Sequence, residues 1–206
     1  MPNTTVIIFA KAPESGLAKT RLIPALGAAG AADLARRMLD HATEQAVNAK
    51  LGPILIATTP DQSHPAFTAL ADRFNLTLID QGTGDLGQRM QHTFDTVWHQ
   101  RNYLDAARHS ILLMGSDIPA IDADMLAVAA RKLNDCDAVF IPTIDGGYAL
   151  VGLKKPNPTL FKDLPWSTPA VMQITRERAL AAHLQCIELA PVHDIDEPAD
   201  LPYCTV

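Results

Sequence analysis

Short apolar runs rich in β-branched residues recur along this chain, mostly with stretches of helical period between them. The runs cover residues 5–9, 54–58, 76–79, 111–114, 138–141 and 148–153. Apolar strands of this kind, alternating with helices, are the pattern of a parallel sheet covered on both faces. Three amphipathic stripes supply the covering helices. They are Ala35, Met38, Leu39, Ala42 and Ala46; Leu86, Met90, Phe94, Val97 and Trp98; and Met125, Leu126, Ala129, Ala130 and Leu133. The expected fold class is therefore α/β, with a mainly parallel twisted sheet and helices on both faces. A last helix is expected to follow Thr168 as N-cap, with Pro169 at its first position and Val171, Met172, Thr175 and Ala179 along it. Trp166 then lies on the loop before that helix. Pro156, Pro158, Pro165 and Pro169 make residues 154–169 irregular, and this segment is expected to fold over the sheet edge.

The 206 residues, 48% of them hydrophobic, suit one sizeable core, and a single domain spanning 1–206 is expected. No run of eighteen apolar residues and no signal-peptide pattern is present, so the reading is cytoplasmic, with no membrane partner. Cys136, Cys186 and Cys204 lack metal-type or disulfide spacing and read as inert thiols. A net charge of −6 argues against a nucleic-acid partner, which requires a broad basic face.

Positive charge is instead local. Directly after the first apolar run, Lys11, Lys19 and Arg21 stand within eleven residues and face only Glu14. Gly16 permits a turn that other residues resist, and Pro13 limits how the loop relaxes. A basic, glycine-containing loop at a strand end suits an anionic ligand such as a phosphate. It is not a P-loop, because Ala18 and Pro13 occupy both glycine positions of that motif.

Gly115-Ser116-Asp117-Ile118-Pro119 follows the fourth run, just beyond a strand's carboxyl end, where open α/β sheets collect ligands. One carboxylate there can hold Mg²⁺ or Mn²⁺ while phosphates and water complete the shell, so Asp117 is the first metal candidate. Near the C-terminus, Asp196 and Glu197 precede Pro198 at an expected helix start. Asp196 is either a helix cap or a second carboxylate folded back beside Asp117, and spacing leaves both open. Asp145-Gly146-Gly147 between two strand-like runs is a hairpin signal. Gly146 and Gly147 also allow a substrate to lie against backbone, with Asp145 free to accept a proton. The segment from Gly82 to Gly87 matches GxGxxG, with Asp105 at the distance of a ribose contact, which raises a dinucleotide oxidoreductase using NAD(P). That fingerprint belongs after the first strand and here follows the third, so the segment reads instead as a glycine turn. Its amides at Gly84, together with Arg89, can approach a nucleotide.

Taken in order, KAPESGLAKTRL, GTGDLGQRM, GSDIP, DGGYALVGL, PWSTPAV and DIDEPADL span nearly the whole chain. Together they resemble the family of GT-A-like nucleotide-diphospho-sugar transferases, whose members are often labelled radical-SAM/selenodomain-associated or arsenosugar-biosynthesis glycosyltransferases. A more distant resemblance extends to the guanylyltransferases of molybdenum-cofactor and phospholactate metabolism and to sugar-activating cytidylyltransferases. The resemblance implies a Rossmann-like GT-A fold, with Lys11, Lys19 and Arg21 as the phosphate-side loop, Asp117 and Asp196 as metal residues, and Trp166 within the substrate site. Glu197 stands where the terminal motif usually has threonine, and Ser116-Asp117 is not a full DxD. The implied reaction is metal-dependent transfer of a sugar from a nucleotide-sugar to a small acceptor. The alternative it implies is nucleotidyl transfer from a nucleoside triphosphate to a phosphorylated or carboxylated small molecule. A protein that keeps the nucleotide pocket without catalysis is a further reading.

Overall fold

The computed structural model describes residues 3–100 and 109–206. Its sheet contains seven strands: β1 (Asn3–Lys11), β2 (Ile54–Thr59), β3 (Thr77–Asp80), β4 (His109–Gly115), β5 (Ala138–Pro142), β6 (Tyr148–Leu153) and β7 (Cys186–Glu188). Their order across the sheet is β3-β2-β1-β4-β6-β5-β7. All neighbours are parallel except β6, which runs antiparallel to both β4 and β5. The expected doubly covered, mainly parallel sheet is therefore present.

From β1 the chain moves outward to β2 and β3, then returns to lay β4 on the other side of β1. This reversal is the topological switch point at which such sheets open a crevice beyond the strand ends. Phe9 pairs with Gly115 across it, so the loops that follow β1 and β4 rise side by side.

Successive strand side chains point to opposite faces, and β1 divides its residues accordingly. Val6, Ile8 and Ala10 pack with Leu39 and Ala42 of α1 (Ile23–Ala49), Phe67 of α2 (Pro65–Phe74) and Leu126 and Ala129 of α4 (Ala123–Lys132). Ile7 packs on the other face with Met90, Phe94 and Val97 of α3 (Leu86–His99) and Met172 and Ala179 of α5 (Val171–Ala181). Each fully buried Val, Leu, Ile, Met or Phe side chain among these contributes about 1.5–3 kcal/mol relative to exposure.

Three local expectations change. The helix α5 starts at Val171 rather than Pro169, because the Thr168 hydroxyl donates back to the Pro165 carbonyl at 2.7 Å and caps nothing. Residues 154–169 cover a sheet face, not an edge: Phe161 stacks on Phe94 with ring centroids 5.5 Å apart, in the same core as Ile7 and Leu113. Both α2, capped by the His64 ring accepting from the Ala66 amide, and the three-residue β7 are additions to the sequence reading.

Candidate functional site

The basic loop after β1 is fixed from within. The Lys11 ammonium donates to the Leu17 carbonyl at 2.8 Å and so closes its own turn. Gly16 adopts φ +83° in open space, a left-handed conformation that suits glycine. Lys19 is also left-handed, at φ 46° and ψ 48°, which is costly for a residue with a Cβ. A single 3₁₀ turn, Thr20–Leu22, then buries Leu22.

Leu22 anchors the loop and fixes where its charges meet the C-terminal segment. It packs in a small core with Ala31, Leu34 and Met38 of α1 and with Ile195 from that segment; Leu22 and Ile195 are both completely buried. This apolar clip brings their neighbours together, and Arg21 Nη1 donates to Asp196 Oδ2 at 2.6 Å. The C-terminal segment is held along its length: the Val192 amide donates to the Pro142 carbonyl and the Ile195 amide to the Asp117 carbonyl, at 3.0 and 3.1 Å. Glu197 takes the helix cap in a reciprocal box with Asp200. Asp196 is thereby left free to face Asp117.

Lys19 lies between these two carboxylates, with Nζ 2.6 Å from Asp117 Oδ2 and 3.4 Å from Asp196 Oδ1. Burial, the largest single effect, depresses its pKa, but the two carboxylates together reverse that and hold it above the ordinary lysine value. The described residues contain no cluster of three or more metal-type side chains. Two carboxylates that converge on one cationic atom nevertheless form a hard, all-oxygen donor pair. That matches Mg²⁺ or Mn²⁺, which takes one or two protein carboxylates beside substrate phosphates.

The floor beside the basic loop comes from the end of β3 and from α3. Gln81 is buried and donates to the Ala10 and Ala57 carbonyls at 3.0 and 2.8 Å, and its side-chain oxygen receives Arg89 Nη1 at 3.0 Å. Arg89 Nε is buried without a hydrogen-bond partner. In the GxGxxG segment, Asp85 caps α3 in a box with Gln88. A Cβ on Gly84 would stand 2.2 Å from the Gln88 side chain, and Gly84 lines neither compartment of the cleft. A Cβ on Gly87 would stand 2.2 Å from the Phe161 carbonyl, so Gly87 serves packing. Asp105 lies outside the described residues.

The β5–β6 hairpin turns through Asp145, as expected. Asp145 Oδ1 accepts from the Thr143 hydroxyl and from the Gly147 amide at 3.0 Å. Gly146, at φ +95°, does not line the cleft: a Cβ there would lie 2.3 Å from the Pro169 carbonyl, and its own carbonyl accepts from the Met172 amide. Gly147 does line the cleft. Trp166 packs edge-on against Tyr148 with centroids 6.2 Å apart, and the indole N–H and the phenol hydroxyl are both buried without hydrogen-bond partners. Burial also pushes the Tyr148 phenol pKa up.

Asp194 is one of two cleft residues that sequence reasoning missed. It lines this compartment, and burial first, then the charges of Asp145 and Asp117, push its carboxyl up to about 6. Gln81 was missed as well, and a buried polar residue at a strand end was the available signal for it.

The cleft has two compartments. The basic one has a volume of about 400 Å³ and is lined by Lys11, Lys19, Arg21 and Arg89. The second, about 370 Å³, is lined by Asp145, Gly147, Tyr148, Trp166 and Asp194. Arg21, Asp117 and Asp196 belong to both, so the carboxylate pair stands at the junction.

Among solved structures, a protein from Desulfovibrio desulfuricans, provisionally described as a nucleotide-diphospho-sugar transferase, is 28% identical over 96% of this chain and 84% of its own, with a TM-score of 0.82. A nucleotidyl transferase from Methanothermobacter thermautotrophicus, 11% identical over 98% of this chain and 96% of its own, shares the fold at TM-score 0.64. So does a CMP-2-keto-3-deoxy-manno-octonic acid synthetase complexed with CTP, 13% identical over 98% and 96% of the two chains, at TM-score 0.58. No curated protein matches the chain. The profile of one sequence family matches residues 38–168, and the chain belongs to that family, described as "Uncharacterized protein conserved in bacteria (DUF2064)".

Proposed function

We propose that the protein is a divalent-cation-dependent transferase that moves a sugar from a nucleotide-sugar to a small acceptor. The observation that carries this reading is the junction itself: Asp117 and Asp196 converge on Lys19 Nζ between a cation-lined compartment and a second, acid-lined one. The likeness to a nucleotide-diphospho-sugar transferase supports it.

Asp117 and Asp196 would hold Mg²⁺ or Mn²⁺. Bound there, such an ion neutralises phosphate charge and stabilises the departing diphosphate. Lys19 and Arg21 pair with the carboxylates when no phosphate is present and offer the same N–H groups to phosphate oxygens when one is. Arg89, oriented by Gln81, adds a fixed cation that needs no reorganisation as charge develops. On the acceptor side, Oδ1 of Asp145 is occupied by Thr143 and Gly147, which leaves Oδ2 to receive a proton. In the step itself, the acceptor hydroxyl oxygen bonds to the sugar's anomeric carbon and its proton passes to Asp145 Oδ2. The bond from that carbon to the diphosphate oxygen breaks, and its electron pair leaves on the nucleoside diphosphate.

A thermal-shift panel of nucleotide-sugars and nucleoside triphosphates, with and without Mg²⁺, tests this. A ligand at about 100 times its Kd stabilises by about 2.7 kcal/mol. The expected outcome is a Mg²⁺-dependent shift with a nucleotide-sugar, followed by transfer to an acceptor; absence of both overturns the reading. The four cations of the phosphate compartment also favour a second reaction, nucleotidyl transfer, which pyrophosphate release from a nucleoside triphosphate would identify.

A further inference from the structure

The compartments carry opposite charge. Among the described residues, the phosphate side sets four cations, Lys11, Lys19, Arg21 and Arg89, against Asp117 and Asp196. The second compartment is lined by Asp117, Asp145, Asp194 and Asp196 and by one cation, Arg21, which Asp196 already holds at 2.6 Å, while Lys19 reaches Asp117 and Asp196 from the basic side. A divalent ion shared by Asp117 and Asp196 would leave Asp145 and Asp194 without a cation of their own on this wall. An anionic group entering here meets like charge in a partly enclosed space, where screening by water is weakened.

The rest of the wall favours a different guest. Tyr148 and Trp166 present aromatic surface, and the phenol hydroxyl and indole N–H beside it are buried and without hydrogen-bond partners. Aromatic faces beside carboxylates suit the C–H faces and hydroxyls of a polyol, or an ammonium group.

We propose that this compartment takes a hydroxyl-bearing acceptor with no anionic group, neutral or amine-bearing, and rejects phosphorylated and carboxylated acceptors. This rests on the transferase reading and narrows it to one acceptor class. The same charge pattern selects acceptors whether a glycosyl or a nucleotidyl group is transferred, because both compartments meet at the same junction.

The test uses the full chain with Mg²⁺. Thermal shift is measured first with UDP-glucose, GDP-mannose, CTP and GTP. Whichever nucleotide stabilises the protein is then supplied with matched acceptors: glucose with glucose phosphate, glucosamine with glucosamine phosphate, and glycerol with glycerol phosphate and glycerate. Mass spectrometry reads the products. The expected result is transfer to uncharged or amine-bearing members, about tenfold or more faster than to their anionic partners. In Asp194→Asn that preference narrows several-fold while the nucleotide shift stays unchanged. Faster transfer to an anionic member, or nucleotide binding with no transfer to any uncharged or amine-bearing member, overturns the inference and leaves the nucleotide site standing. Loss of every nucleotide shift removes the transferase reading and this inference with it.

Discussion

Lys11, Lys19 and Arg21 reach the cleft from the end of β1 and the loop that follows it, whereas Asp145, Trp166 and Asp194 arrive from three segments that the sheet order brings together. The first wall is mainly one contiguous stretch, braced by its own Lys11–Leu17 bond and anchored by Leu22. The second depends on the β5–β6 turn, the loop before α5 and the C-terminal segment holding their mutual positions. Loops on a rigid sheet can be changed one at a time without disturbing the scaffold. The basic wall, to which we assign phosphate, is therefore separable from the acidic wall, to which we assign the acceptor, and the charged residues that line both are Arg21, Asp117 and Asp196.

The largest expected effect is at the junction. Asp117→Ala should lower turnover by about 10³-fold, the scale of losing a main electrostatic contribution to the transition state. It should also abolish Mn²⁺ binding measured by calorimetry, and turnover within tenfold of the unsubstituted protein would break the shared-junction picture. Lys19→Met removes a cation that lines the basic compartment and pairs with both junction carboxylates. A loss of about 10²-fold in kcat is expected with the acceptor KM unchanged; a parallel rise in acceptor KM would show that the walls are not separable.

Gly146→Ala strikes the other wall through the backbone. Its Cβ would meet Pro169 backbone atoms that cannot yield, at a positive φ that alanine disfavours. The expected destabilisation is about 1–3 kcal/mol, which for a chain this long is a Tm lower by about 2–4 °C per kcal/mol. Nucleotide binding per folded molecule should persist.

The smallest effect lies away from the cleft. Arg176 and Glu188 form a two-point ion pair at 2.7 Å on exposed surface, and the guanidinium hydrogen bond holds the Glu188 carboxyl below its ordinary range. Its stabilisation is complete above the ordinary carboxylate pKa of about 4.3 and is lost as pH falls through the lower folded value. Solvent screening keeps it under about 1 kcal/mol, so Glu188→Gln should move Tm little at pH 7 and not at all at low pH, with transfer unaffected.

Six of the seven strands were legible in the sequence, because an apolar run of β-branched residues is a local signal. The strand β7 was not: it has three residues and only Ile187 is even half-buried. The helix α2 begins from a histidine cap, which falls outside the usual Ser, Thr, Asp and Asn signals. In the site, the basic loop stood out because its charges are contiguous. At Gly146 a paired glycine signals close approach without saying what approaches, and in the structure Pro169 does. Asp194 carried no distinguishing mark beside Asp196 in an acidic stretch.

The sequence alone determined the alternation of strands and helices, and hence a sheet buried on both faces, together with the sign of the charge on the loop after its first strand. Both depend on neighbours along the chain. Tertiary structure decided that Lys19 meets Asp117 and Asp196, 98 and 177 residues away, and that Asp194 joins Asp145 across from the phosphate wall. Electrostatic interaction depends on distance in space, and for these residues that distance is set by the β1–β4 crossover and by the burial of Leu22 against Ile195.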